Sequence, residues 1–217
     1  MVGRVKEKEA IQSGLSKAIR GHGGLIMISG EAGIGKTKMT EELGRLAVLT
    51  GCDFAIGRCL PNSPAPYLPF RDALRGQMAD EVFSSSPTSD VMFQVKDALC
   101  RRAQVRPAVV VLEDLHWADS ASIQVLHFLA RNIGCHRALL VGTYRPEDIS
   151  FEVAEGLFHP LLDSVRCMRR ESLCTEIQLG ELNESEIEEL LDKLLGGRVH
   201  RKVLEEVMRE GEGNPLY

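Results

Sequence analysis

Residues 30–37 contain the glycines, the lysine and the hydroxyl group that a protein uses to bind phosphate. The segment reads Gly30-Glu31-Ala32-Gly33-Ile34-Gly35-Lys36-Thr37 and matches the phosphate-binding pattern G-x-x-x-x-G-K-[ST]. Glycines let backbone N–H groups curl around an anion, and the first turn of a following helix adds unsatisfied donors. Lys36 would supply a positive charge to the β- and γ-phosphates, and Thr37 a hydroxyl ligand to Mg²⁺. We therefore expect these eight residues to bind the phosphates of a nucleotide.

Two carboxylates follow a second apolar segment. Val109–Leu112 is uninterrupted and mostly β-branched, which is typical of a strand buried on both faces, and Glu113 and Asp114 come directly after it. Ligands of an open parallel sheet bind outside the carboxyl ends of its strands. Glu113 stands where a phosphate-loop enzyme normally has its magnesium-binding Asp, and Asp114 where it has the acid that polarises water. The usual order is Asp-Glu or Asp-Asp, so the division of roles between the two stays open.

Three further positions near these strand ends are candidates. Arg145 follows the apolar segment 138–143 and is in a place to reach a γ-phosphate. Asp119 is expected to cap the helix that begins near Ser120, with a role in the site as the alternative. His116 and Trp117 either pack in the core or face a nucleotide pocket.

The elements that position these residues alternate along the chain. Short apolar runs predict strands at 25–28, 52–57, 109–112, 138–143 and 175–179. Apolar residues at helical spacing predict helices over 5–20, 36–49, 70–79, 91–104, 123–133 and 151–163. Strands that alternate with helices predict βαβ units and a parallel sheet, and hence an α/β fold.

The tail from Leu182 onward is entirely helical in pattern. Asn183 is a suitable N-cap and Glu186, three residues later, completes a capping box. Two glycines at 196–197 end this helix, and a second covers 199–209. We predict a nucleotide-binding core over 1–180 and a small helical lid over 181–217. No turn or cap follows the last five residues, so we hypothesise that the lid is incomplete and the chain was cut from a longer protein.

Two connections remain ambiguous from sequence. Four prolines between 61 and 69 argue against regular structure, and the segment is either a surface loop or an ordered loop beside a ligand site. Residues 84–89 are rich in serine and read as a turn or a mobile linker.

Composition restricts the function. The 217 residues carry a net charge of −5, so the fragment lacks the basic excess of a protein that mainly grips nucleic acid. No apolar run approaches the roughly 20 residues of a membrane span, and the N-terminus has no signal-peptide core. The six cysteines show no C-x-x-C or zinc spacing, which predicts reduced, mostly buried thiols. We therefore expect a cytoplasmic location.

The order of these motifs resembles the ATPase module of STAND signal-transduction ATPases, a branch close to the AAA+ proteins. The resemblance rests on Val2-Gly3-Arg4, the phosphate-binding loop, the segments 112–119 and 142–145, and Gly213-Asn214-Pro215-Leu216-Tyr217. It covers nearly the whole chain and is greatest to modules of large transcriptional regulators. Glu113 departs from the family's commoner Asp.

The resemblance implies a central five-stranded parallel sheet followed by a helical lid. It implies that Val2, Gly3 and Arg4 lie near the adenine, that Arg145 is the first sensor arginine, and that Pro215 contacts the nucleotide from the lid. It further implies binding of ATP and ADP with Mg²⁺, slow hydrolysis, further domains in a longer chain, and nucleotide-dependent self-association. An arginine finger is not identifiable; residues 166, 169 and 170 are arginines that either supply one or form a solvated basic face.

The predicted function is a slowly hydrolysing ATP switch in a signalling or transcriptional-regulatory protein, with no membrane or direct nucleic-acid partner for this fragment. The absence of an N-K-x-D motif favours ATP over GTP. The alternatives are a nucleotide-stabilised scaffold with negligible turnover, a replication-initiator-like DNA-associated ATPase, and a small-molecule phosphotransferase. The net charge of −5 argues against the DNA-associated alternative.

Replacement of Lys36 by Ala should abolish nucleotide binding, because the side chain supplies the positive charge that the phosphates require. Isothermal titration calorimetry with ATP measures the effect. Unchanged binding would refute the assignment of the loop.

Overall fold

Five strands form one parallel sheet in the order β2-β3-β4-β1-β5. The computed structural model describes residues 2–63, 65–149, 159–211 and 213–215. Its strands are β1 (Gly24–Ser29), β2 (Asp53–Arg58), β3 (Ala108–Glu113), β4 (Ala138–Tyr144) and β5 (Cys174–Gln178). All four neighbouring pairs are parallel. The predicted α/β fold with a five-stranded parallel sheet is confirmed.

Helices flank the sheet and connect its strands. They are α1 (Val5–Ile19), α2 (Lys36–Leu49), α3 (Leu68–Ala73), α4 (Asp80–Ser85), α5 (Thr88–Val105), α6 (Ser120–Asn132), α7 (Pro160–Arg170), α8 (Glu184–Leu195) and α9 (Arg201–Gly211). A short 3₁₀ turn, Leu115–Trp117, follows β3. Among the described helices, none is long and apolar enough to cross a membrane.

The alternation of side chains along β3 divides the core into two layers. Val109 and Val111 pack with α1 and α2 on one face. Val110 and Leu112 pack on the other face, against α3, α5, α6 and α7. Successive residues of a strand point to opposite faces, so an unbroken apolar run is what a central strand covered on both sides requires. The whole of β3 and β4 is buried.

The last two helices have an apolar cluster of their own. Leu182, Ile187 and Leu204 are its buried members, and side chains of α8 and α9 pack around them. Asn183 and Glu186 form the predicted capping box at the start of α8, and Gly196 caps its end with a φ of 70°. We call these two helices together with residues 213–215 the lid, and the predicted division into a core over 1–180 and a lid over 181–217 stays a prediction.

The region between β2 and β3 differs from prediction. The helix predicted over 70–79 is wrong: α3 spans Leu68–Ala73, with Pro69 in its first turn, and α4 follows at Asp80–Ser85. Proline is compatible with a first helical turn because no intrahelical bond needs its missing N–H. The 84–89 segment is mostly helical, since Thr88 begins α5.

Two other expectations also need correction. The helix predicted over 151–163 falls partly on residues 151–158, which lie outside the described residues, and α7 runs from Pro160 to Arg170. All six cysteines are free thiols, but only Cys52, Cys59 and Cys100 are buried.

Asp119 connects the proline-rich segment to α6. Asp119 caps α6 as predicted, because its Oδ1 accepts a hydrogen bond of 2.9 Å from the Ser122 N–H. Its Oδ2 also accepts from the Tyr67 N–H at 3.1 Å. One carboxylate thus joins the start of α6 to the loop that precedes α3.

Gly57 of β2 permits the close approach of α3. A Cβ atom at this position would lie 1.7 Å from the backbone oxygen of Pro69, which cannot rotate away. Gly57→Ala should therefore lower the free energy of unfolding by about 1–3 kcal/mol, the usual effect of overpacking. Urea denaturation measures it.

Gly24→Ala in β1 is the matched control, since nothing lies within 4 Å of a Cβ placed there. Equal stability of the two variants would contradict the role of Gly57.

Candidate functional site

The phosphate-binding loop connects β1 to α2 and has the backbone that its glycines allow. Gly33 and Gly35 have φ values of 79° and 108°, a region that L side chains rarely adopt. Gly35 directly precedes Lys36, the first residue of α2. The strand, loop and helix therefore occur in the predicted order.

Lys36 lies folded against its own loop. Its Nζ donates hydrogen bonds of 2.6 Å to the carbonyl oxygens of Gly30 and Glu31, and the residue is buried. Burial lowers the pKa of Lys36, and the positive charge of Arg145 lowers it further. Glu147, Asp114 and Asp148 act in the opposite direction. Charged residues that follow β3 and β4 therefore all act on the pKa of Lys36.

The two adjacent acids have different surroundings. Glu113 is buried, and its Oε1 accepts a hydrogen bond of 2.8 Å from the Thr40 hydroxyl. Its Oε2 accepts one of 2.8 Å from Nε of Arg58, at the end of β2, and this contact raises the pKa of Arg58. Both oxygens thus have partners. The described hydrogen bonds connect Glu113 to Thr40, one helical turn beyond the exposed Thr37.

Asp114 turns the chain out of the sheet. It has a φ of 59°, an uncommon conformation for a residue with a side chain, and its N–H donates to the Thr143 hydroxyl at 3.0 Å. Such strain persists where the surroundings enforce it. The negative charge of Asp114 opposes the lowering of the pKa of Lys36 and of His116.

Arg145 lies at the same edge, held by two side chains. Its guanidinium carbon is 5.5 Å from the centre of the Trp117 ring, and its Nη1 is 3.9 Å from Oδ2 of Asp148. Its Nε is buried and has no hydrogen-bond partner among the described residues. Trp117 is therefore a platform for the arginine at the site rather than a core residue.

His116 lies next to Trp117 and Asp148. Its side chain is fully buried, and its Nε2 is 3.3 Å from Oδ2 of Asp148. Burial is the main cause that lowers the pKa of His116, against the opposing attraction of Asp114 and Asp148. The imidazole is accordingly neutral near pH 7 and packs against Trp117, with ring centres 4.5 Å apart.

Glu147 binds the phosphate-binding loop directly. The Ala32 N–H donates a hydrogen bond of 3.0 Å to Oε1 of Glu147. The N–H of Ala32 therefore binds an anionic oxygen. A phosphate oxygen is also anionic and fits the same donor.

A largely apolar cavity of about 390 Å³ opens between the loop, the N-terminus and the lid. Val2, Arg4 and Pro215 line it, whereas Gly3, which the resemblance also placed near the nucleotide, is not among the lining residues. The other lining residues come from the loop, the start of α2 and the lid: Gly33, Ile34, Gly35, Lys38, Leu182, Leu190, Lys193 and Leu194. Its size and apolar walls suit a flat heterocycle.

Glu186 joins the N-terminus to the lid. Its Oε2 accepts from the Asn183 N–H at 3.0 Å, and its Oε1 accepts from the Arg4 N–H at 3.0 Å. Gly3 has a φ of 56°, and a Cβ there would lie 2.0 Å from Oε1 of Glu186. Only glycine therefore allows this close contact. Arg4 also donates from Nη2 to the Ile34 carbonyl oxygen at 3.1 Å.

A second lid contact reaches the loop. Nδ2 of Asn214 donates a hydrogen bond of 2.9 Å to the carbonyl oxygen of Ala32. The segment that contains Pro215 is therefore attached to the phosphate-binding loop itself.

Residues 1–141 match the family model described as "AAA ATPase domain". The chain belongs to this family. It is therefore a nucleotide-dependent ATPase module. An uncharacterized protein of Rhizobium meliloti (strain 1021) is 25% identical, in an alignment covering 67% of this chain and 18% of that protein. The chain thus spans less than a fifth of that relative.

Solved structures share the fold. A STAND protein with a tetratricopeptide repeat sensor from Pyrococcus horikoshii has a TM-score of 0.57 and 17% identity, over 100% of this chain and 28% of that one. A Thermotoga maritima RuvB variant has a TM-score of 0.56 and 15% identity, over 99% of this chain and 58% of that one. Cdc6p from Pyrobaculum aerophilum has a TM-score of 0.57 and 14% identity, over 91% of this chain and 50% of that one. At these identities the likeness establishes a P-loop ATPase fold.

The sequence analysis missed several polar partners in the site. Arg58, Thr40, Glu147 and Asp148 contact the predicted residues, yet none belongs to a local pattern that marks it. Asn214, by contrast, belongs to the segment 213–217 on which the resemblance rests. Glu147 and Asp148 follow Arg145 by two and three residues, and that proximity was the one available signal. The arginines of α7 lie on its outer face, where Arg169 pairs with Glu176 and Arg166 lies 3.9 Å from Asp163, as in a solvated basic surface.

Glu186→Ala should lower the free energy of unfolding by about 1–2 kcal/mol, because it removes half of a capping box and the acceptor of the Arg4 N–H. Glu184→Ala in the same helical turn is the control and should cost only about 0.3–1 kcal/mol, through the helix dipole. Thermal and urea unfolding measure both. Equal losses would show that the contact with Arg4 contributes nothing.

Proposed function

We propose that this module binds MgATP, hydrolyses it slowly to ADP and phosphate, and switches the conformation and assembly of a larger STAND-type signalling or transcriptional-regulatory protein. The observation that carries the proposal is that Lys36, Asp114 and Arg145 follow the carboxyl ends of three neighbouring parallel strands. The charges of Asp114 and Arg145 both act on Lys36. The three residues follow β1, β3 and β4, and each supplies a different requirement of phosphoryl transfer to water.

Lys36 and the loop residues Gly30–Thr37 would bind the phosphates. Lys36 is buried beside backbone carbonyl groups, so its ammonium group is already desolvated and held in the loop. A phosphate oxygen offers this group a stronger, charge-assisted partner than a neutral carbonyl oxygen does.

Mg²⁺ would be held by the Thr37 hydroxyl together with phosphate oxygens, with Glu113 as the nearby acidic ligand. Such a metal ion neutralises charge that develops on the phosphates. The contacts of Glu113 with Thr40 and Arg58 orient its carboxylate at the start of α2. Arg58 is 61% exposed on its side chain, so it can exchange Glu113 for water at small cost.

Asp114 would accept the proton of the attacking water or orient that water. Asp114 directly follows β3 and its negative charge acts on Lys36, whereas both carboxylate oxygens of Glu113 accept hydrogen bonds. These observations support Asp114 as the catalytic acid–base residue and Glu113 as the metal-side acid.

Arg145 would respond to the γ-phosphate. The Trp117 ring and Asp148 hold it beside Lys36, and its Nε has no hydrogen-bond partner among the described groups. A cation held by one weak ion pair and a ring can reorient toward a new anion at low cost. The cavity lined by Val2, Arg4 and Pro215 would take the adenine.

The STAND-type role rests on the motif segments 112–119 and 213–217 and on likeness to a STAND protein that carries a repeat sensor. The matched relative in Rhizobium meliloti is several times longer than this chain. Both features support further domains as partners in a longer protein. Self-association that depends on the bound nucleotide follows as a further part of the proposal.

Asp114→Asn should retain ATP binding and lower hydrolysis roughly 10²–10⁴-fold, the usual contribution of a positioned acid–base group. Release of phosphate measures turnover, and calorimetry measures binding. Undiminished phosphate release would move the catalytic acid elsewhere. Background turnover in the unsubstituted chain, with tightly held ADP, would favour a nucleotide-stabilised scaffold instead.

A further inference from the structure

The phosphate-binding loop of this protein carries an internal anion. Oε1 of Glu147 accepts a hydrogen bond of 3.0 Å from the N–H of Ala32, the third residue of the loop. Backbone N–H groups of such loops are the donors that phosphates use. A carboxylate of the chain itself therefore lies on a donor beside the phosphate site.

Glu147 is part of an excess of negative charge around Lys36. The groups that act on the Lys36 ammonium include one further cation, Arg145, and three carboxylates, those of Asp114, Glu147 and Asp148. Among the groups whose charges act on Lys36, negative ones therefore outnumber positive ones.

We propose that Glu147 is a specificity-determining residue that weakens the binding of a nucleoside triphosphate relative to the diphosphate. This inference rests on the proposed function of the site. The diphosphate ends at the β-phosphate and leaves the Ala32–Glu147 contact in place. The triphosphate adds a charged γ-phosphate near Lys36, and the Glu147 carboxylate must then leave the loop.

Coulomb repulsion gives the reason for this displacement. Two negative charges a few ångströms apart at a partly exposed site repel by roughly 1–4 kcal/mol. Asn214 fixes Ala32 from the opposite side through its carbonyl oxygen, so the loop is restrained while the carboxylate is free to move. Glu147 is exposed and can turn into solvent, where water replaces its bond to Ala32.

Glu147→Gln keeps the size and a hydrogen-bond acceptor but removes the charge. Calorimetry at constant Mg²⁺ measures the affinities for ADP and for a non-hydrolysable ATP analogue. In this variant the ratio of the ATP-analogue affinity to the ADP affinity should rise about tenfold, which corresponds to 1.4 kcal/mol of binding free energy. Glu147→Ala should shift the ratio in the same direction. The shift should shrink at high salt, because a partly exposed charge is screened.

Glu42→Gln is the control for the loss of one negative charge. Glu42 lies in α2 at the surface and pairs with Arg45 at 3.4 Å. The ratio of the two nucleotide affinities in the Glu42→Gln variant should equal that of the unsubstituted chain. A Glu147→Gln ratio equal to that of the control would overturn the inference while both nucleotides still bind, and the proposed function would stand. Failure of the unsubstituted chain to bind either nucleotide would overturn both.

Discussion

Parallel hydrogen bonding among β3, β4 and β1 is the constraint on which the site depends. Because the three strands run in one direction, their carboxyl ends lie at one edge, and Lys36, Asp114 and Arg145 follow those ends. Gly142 in β4 leaves room for two buried side chains beside this edge, since a Cβ there would lie 2.5 Å from Cδ1 of Leu115 and 2.9 Å from the sulfur of Met27. The bond from the Asp114 N–H to Thr143 then holds β3 and β4 in register at the site.

Much of this arrangement is predictable because it is local in sequence. A β-branched run such as Val109–Leu112 predicts a strand covered on both faces, and the glycine spacing before Lys36 predicts a loop that binds anions. Asn183 and Glu186 predict a helix start because both partners lie within one turn. Each of these inferences needs only neighbouring residues. The strand, the backbone of the loop and the helix start agree with the structure, and anion binding by the loop stays a prediction.

The contacts that complete the site are not local and leave no such pattern. Glu147 meets Ala32 across 115 positions, and Arg58 meets Glu113 across 55. The helix predicted over 70–79 was wrong for a related reason. Its apolar spacing was acceptable, but the packing of Pro69 against Gly57 and the bond from Tyr67 to Asp119 place the helix earlier in the chain.

Among the described residues, two hydrogen bonds between the lid and the rest of the chain each join residues 182 positions apart, Arg4 with Glu186 and Ala32 with Asn214. Contacts of such separation form late in folding, since a long loop must close before they contribute. During synthesis from the N-terminus, the core can fold before these contacts become available. The apolar cavity needs Val2 and Pro215 together, so it can assemble only after the chain has been synthesised through residue 215.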